Sequence, residues 1–152
     1  MTHRADSILD AVVANVTAVV PSTISVFAHR RLSLSDDHDE LPAISVDFGP
    51  DDPLDDDGSQ NIAFIDSLLT VGISAAYSHP EESVLKSELL VLRRWIHRGV
   101  MADATQGLAY VVDTRYQGAE KPEYNIESDR LVGVISTSWG VHYRTSIADP
   151  GA

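Results

Sequence analysis

The 152-residue chain carries a formal net charge of −12, from 11 Lys and Arg against 23 Asp and Glu, and contains no cysteine. A chain of this length suits one domain that buries roughly 70% of its unfolded surface without staples. Without cysteine, disulfide frameworks, thiolate zinc sites, iron–sulfur clusters and cysteine nucleophiles are all excluded, and the acidic balance disfavours a tight grip on a phosphate backbone while leaving DNA free to pass.

Met1 to Ser7 lead into only about a dozen residues of mixed apolar and polar character, so neither a signal peptide nor a membrane span is expected there. Ile8, Leu9, Val12, Val16 and Val19 fall at steps of one, three, four and three. That spacing traces one face of a helix ending at Pro21, with Asp6 or Ser7 as its cap. Ile24, Val26 and Ala28 then suggest a strand continuing to Leu34 and carrying His29, Arg30 and Arg31. Asp36 to Glu40 read as a solvated turn.

From Leu32 to Leu85 the chain holds thirteen acidic residues and no Lys or Arg, yet two apolar strand candidates are embedded in it. The first is Leu41 to Phe48, with Ile44, Val46 and Phe48 on one face and Gly49, Pro50 and Pro53 as stops. An acidic loop follows, with Asp51, Asp52, Asp55, Asp56 and Asp57, running to Asn61. It is too charged to enter a core. The second candidate is Ile62 to Tyr77. Phe64, Leu68, Val71 and Ala75 would fit a helix almost as well, but the β-formers around Gly72 and the preceding strand favour a hairpin. This hairpin is expected at the centre of a sheet.

Ser78 to Glu82 carry a helix start: Ser78 or His79 at the cap, Pro80 at the first helical position and acids in the first turn. Val84, Leu85, Leu89, Leu92, Ile96 and Val100 mark its apolar stripe. Arg93, Arg94, His97 and Arg98 cluster near its C-terminal end, with Gly99 in a fraying last turn. Leu108 to Tyr116 read as a strand, residues 118 to 129 as a polar loop, and Arg130 to Tyr143 as a long closing strand before a frayed tail from about residue 146. The order α-β-β-β-α-β-β predicts an α+β domain over residues 1 to 152, with a mostly antiparallel five-stranded sheet and two helices on one face.

The residues offer chemistry only weakly. Aligning Gly58 with the glycine of a calcium loop puts Pro53 at the first ligand and Phe64 at the twelfth, so that motif fails. A loose surface site for a divalent ion stays open beside the plainer reading of a solvated loop. The six histidines show no metal-ligand spacing, and there is no G-x-S-x-G elbow and no glycine-rich phosphate loop. No catalytic residue, metal or cofactor is therefore expected. Arg93, Arg94 and Arg98 with Trp95 admit three readings: a nucleic-acid contact, a solvated helix end, or a basic face that meets the acidic hairpin of a neighbouring copy.

The opening amphipathic helix, the short strand with basic residues, the run L-P-A-I-S-V at positions 41 to 46, the Pro80-started helix and the two closing strands ending near Tyr143 together resemble lambda-type phage tail terminator proteins, the minor tail protein U family. The resemblance runs through nearly the whole chain. It implies a homo-oligomeric ring, a hexamer, that sits on the last ring of the tail tube, stops polymerisation of the tube protein and joins the tail to the head connector, with DNA passing through and no catalysis. It further implies a place in the virion at the tail neck, with assembly in the host cytoplasm. The chain departs from the pattern in its acidic run from Asp51 to Asp57 and in a polar insertion around Lys121 to Asp129. Two other readings remain beside it: a head–tail connector or neck protein of such a particle, and a small stand-alone ligand-binding domain or enzyme.

Overall fold

The computed structural model describes residues 3–29, 41–54, 64–127, 130–146 and 148–149. Along the chain it forms α1 (Arg4–Val19), β1 (Ser25–Ala28), β2 (Ala43–Pro53), β3 (Phe64–His79), α2 (Glu82–Val100), β4 (Val111–Ala119), β5 (Glu123–Glu127) and β6 (Arg130–Ser146). The strands join in one sheet in the order β1-β2-β3-β6-β4, with β5 also on β6. Only β1 and β2 run parallel; the other pairings are antiparallel. Among the described residues the class is α+β with two helices, as the sequence suggests, but the sheet is mixed and has six strands instead of five.

The sixth strand is β5, inside the segment expected as a polar loop. β4 and β5 lie one after the other along the same edge of β6, bridged where the Glu120 amide donates to the Ser136 carbonyl at 2.9 Å. The polar composition reflects its place at a solvated margin, where Ile126 is 74% exposed. Gly118, at φ +120°, allows the bulge that turns the chain between the two strands.

Side-chain alternation fixes which face meets the helices. Ile44 and Val46 of β2, Leu69, Val71, Ile73 and Ala75 of β3, and Ile135, Trp139, Val141 and Tyr143 of β6 form one core with Ile8, Leu9, Val12 and Val16 of α1 and Leu85, Leu89, Leu92, Ile96 and Val100 of α2. The middle of the opposite face carries small and hydroxylated groups, such as Gly72, Ser74 and Ser136, and the two serine hydroxyls lie 2.9 Å apart.

Several boundaries move from their expected places for local reasons. His3 caps α1, its Nδ1 accepting from the Ala5 amide at 3.0 Å, so Asp6 and Ser7 lie inside the first turn. Ser78 and His79 stay in β3, because its pairing with β6 persists to His79 opposite Leu131. α2 therefore starts at Glu82, and His79 Nδ1 accepts from the Glu81 amide at 3.0 Å. β4 begins at Val111 because Ala104 to Tyr110 are held in turns around Gln106. The buried Gln106 side chain donates to the Val100 carbonyl at 2.9 Å and to Thr114 at 3.1 Å, and accepts from Asn15 at 2.8 Å, tying both helices to β4.

Gly99 does not fray. It lies buried at the crossing of α1 and α2, where an added Cβ would sit 2.8 Å from Val16 Cα and 2.9 Å from Val19 Cγ2. At an exposed helical position, Gly→Ala gains about 1 kcal/mol in helix propensity. Here the clash is with backbone, and overpacking costs about 1–3 kcal/mol. Gly99→Ala is accordingly expected to lower the melting temperature by a few degrees, measured by thermal denaturation followed by circular dichroism; a rise would show that the helices separate at no cost.

Candidate functional site

The acidic and basic groups singled out in the sequence fall on different parts of the molecule. Asp51 and Asp52 are not loop residues: β2 continues through Gly49 and Pro50 to Pro53 by way of a bulge between Phe48 and Asp51. The bulge shifts the alternation by one, so that Asp51 joins the helix-side face. There its Oδ2 accepts a 2.5 Å hydrogen bond from the Tyr143 hydroxyl. Burial, reinforced by this carboxylate, raises the Tyr143 pKa far above its ordinary value. Asp55, Asp56 and Asp57 lie outside the described residues.

Beyond Val46, where pairing with β1 ends, every residue of β2 from Asp47 to Pro53 is exposed. This margin carries Phe48 and Asp51 on the helix-side face and Asp47 and Asp52 on the other; Phe48 is half-exposed and its ring meets His29 edge-on at 5.6 Å. His29 Nδ1 stands 3.6 Å from the Asp47 carboxylate.

Arg93, Arg94 and Arg98 do come together. With Leu90 and His97 they line a shallow recess of about 300 Å³ on the outer side of α2. Arg93 donates to the Tyr116 hydroxyl of β4 at 2.5 Å, and Arg98 lies over the Trp95 ring at 5.1 Å. None of the three has an acidic partner among the described residues. Beneath them His97, Tyr116 and Trp139 form an aromatic cluster with centroids 4.9 to 5.4 Å apart. Sequence reading missed this support, because Arg93, Tyr116 and Trp139 belong to three elements and no spacing links them. Only the exposed Leu90 and Val91 beside the arginines gave a local signal: large apolar residues on a helix face otherwise rich in charge.

A third group, unforeseen from sequence, lies at the far end of the helix-free face. Arg144 Nε and a terminal nitrogen reach the two Asp66 oxygens at 2.8 and 3.3 Å, and Phe64 packs 3.9 Å from the guanidinium. His142 Nε2 is 3.6 Å from Asp66 Oδ1 and is buried without a hydrogen-bond partner among the described residues. The Arg144 hydrogen bond, outweighing desolvation, holds the Asp66 carboxyl below the usual carboxylate range.

Among the described residues no group of three or more His, Cys, Asp or Glu side chains could hold a metal ion, and no helix is long and apolar enough to cross a membrane.

No protein-family model and no curated protein matches the chain. Its fold is similar to that of a chain in a solved structure described as the virion of native gene transfer agent (GTA) particle. The TM-score is 0.53 at 14% sequence identity, and the likeness covers 93% of this chain and 97% of that one. The likeness therefore takes in nearly all of both chains.

The depressed Asp66 pKa gives a pH prediction. A carboxyl whose folded pKa is lowered contributes stability above its unfolded pKa, near pH 4, and loses it as pH falls through the folded value. The wild-type melting temperature should therefore drop between about pH 5 and pH 3 more steeply than that of Asp66→Asn. Parallel pH profiles would place the contribution elsewhere.

Proposed function

We propose that this chain is a structural protein of a phage-like virion, a tail terminator that caps the tail tube as a ring, stops its growth and joins the tail to the head connector. The observation that carries the reading is the likeness in fold, nearly end to end in both chains, to a component of a gene transfer agent particle. The element order and the L-P-A-I-S-V run support the finer assignment to the tail end.

Charge is consistent with it. DNA sliding through a ring is held back by fixed cations on the wall, whereas a subunit with net charge −12 presents a surface from which phosphates are repelled. The protein works in this reading by folded surfaces that meet copies of itself, the tube protein and the connector, without catalysis and without a cofactor. Its place is the virion, at the tail neck.

Deleting the gene from its particle's genome tests the reading through electron microscopy of lysates. A terminator deletion yields tail tubes of uncontrolled length that fail to join heads, and adding purified protein to tubes arrests their growth. Tubes of normal length that remain unjoined to heads would move the protein to the head–tail connector, and intact particles would remove it from the neck altogether.

A further inference from the structure

The two charged surfaces lie on opposite margins of the sheet. In the order β2-β3-β6-β4, three strand spacings separate β2 from β4, roughly 14 Å. The acidic end of β2 forms one margin, and Arg93, anchored on Tyr116 of β4, stands at the other. Asp47 and Asp52 therefore cannot pair with Arg93, Arg94 and Arg98 of their own chain, where the sheet lies between them.

Each surface also has the composition of half an interface. On β2, Phe48 is 47% exposed on the helix-side face, with Asp51 next along it past the bulge, while Asp47 and Asp52 project from the other face of the same strand margin. On α2, Leu90 is 57% exposed beside Arg93 and Arg94. Apolar and charged groups carried by one margin let a contact bury surface and select its partner by charge. Arg94 has no partner at all among the described residues, and neither has Asp52. A nucleic acid is repelled by the net charge of −12 of the chain as a whole, whereas an acidic strand margin of the same chain offers a compact patch of opposite sign to the arginines.

We infer that the β2 margin at Asp47, Phe48 and Asp52 docks onto the α2 face at Leu90, Arg93, Arg94 and Arg98 of a second copy. The contact joins two different surfaces, so each copy keeps one of each free and the next copy adds in the same way until the ring closes. This inference rests on the ring reading and specifies its subunit contact. The Tyr143 hydrogen bond makes Asp51 part of the fold, so Asp47 and Asp52 carry the acidic half.

Charge exchange on the full chain tests it, with assembly measured by size-exclusion chromatography and light scattering across protein concentration, alone and with tail tubes. Arg93→Glu with Arg94→Glu, and separately Asp47→Lys with Asp52→Lys, should each weaken self-association at least about tenfold, since two exposed pairs become repulsive. An equimolar mixture of the two variants should restore assembly, because the reversed charges attract only between unlike copies. Either variant assembling like wild type, or a mixture that stays dissociated while both variants keep wild-type melting temperatures, overturns the contact and leaves the virion reading standing. A wild-type chain that remains monomeric even on tube ends overturns both.

Discussion

The antiparallel ladder between β3 and β6 is the constraint on which the rest of the molecule depends. It runs without a register break from Phe64 opposite Ser146 to His79 opposite Leu131, so that two strands far apart in sequence share one twist and one alternation of faces. A one-residue slip of β6 would turn that strand over along its whole length, setting Ile135, Trp139, Val141 and Tyr143 against solvent and Ser136, Ser138 and Gly140 against the helices. Burial of those apolar groups selects the register. Trp139 reinforces it, since its indole nitrogen donates to Thr137, whose hydroxyl donates to the Ile73 carbonyl at 2.9 Å.

Both margins follow from that ladder. On one side β2 pairs with β3 beyond the point where β1 ends, leaving an acidic strand edge unpaired among the described residues. On the other, β4 and β5 occupy β6, and α2 brings its arginines over β4. Natural sheets protect their edges with charge, bulges and proline, and the end of β2 has all three: Asp47, Asp51 and Asp52, the bulge after Phe48, and Pro50 and Pro53. Such an edge resists backbone pairing with stray strands and is better suited to recognition through side chains.

Much of this fold was legible in the sequence, because periodicity reports burial directly. Apart from Val19 and Val84, the apolar stripes of both helices appear in the core, and Phe64 to His79 is a strand despite its helix-compatible spacing, since Gly72 and the β-formers agree with the partner strand. What escaped had non-local causes. Glycine at position 99 looks like a helix end until a second helix is found crossing there, and Gly49-Pro50 looks like a stop until a bulge carries the strand past it. β5 lacks an apolar face because its face is supplied by position, at a wet margin. For the candidate site, residue type was readable and partnership was not. The arginines stood out as a cluster, but their footing on Tyr116 and their separation from Asp47 and Asp52 arise only when β4 and β2 take opposite sides of the sheet.

Subunits that each carry −12 repel one another at a distance, so association needs local attraction strong enough to overcome a general repulsion. The two contributions differ in range. At physiological ionic strength charges are screened over about 8 Å, which suppresses repulsion between whole subunits while leaving pairs in direct contact much less affected. A few arginines concentrated on one helix face, with Phe48 and Leu90 available for burial, meet that requirement better than the same number of cations dispersed over the surface. In the ring proposed above, the acidic excess elsewhere would keep the wall repulsive towards phosphate, so the same imbalance that opposes crowding of subunits would favour passage of DNA.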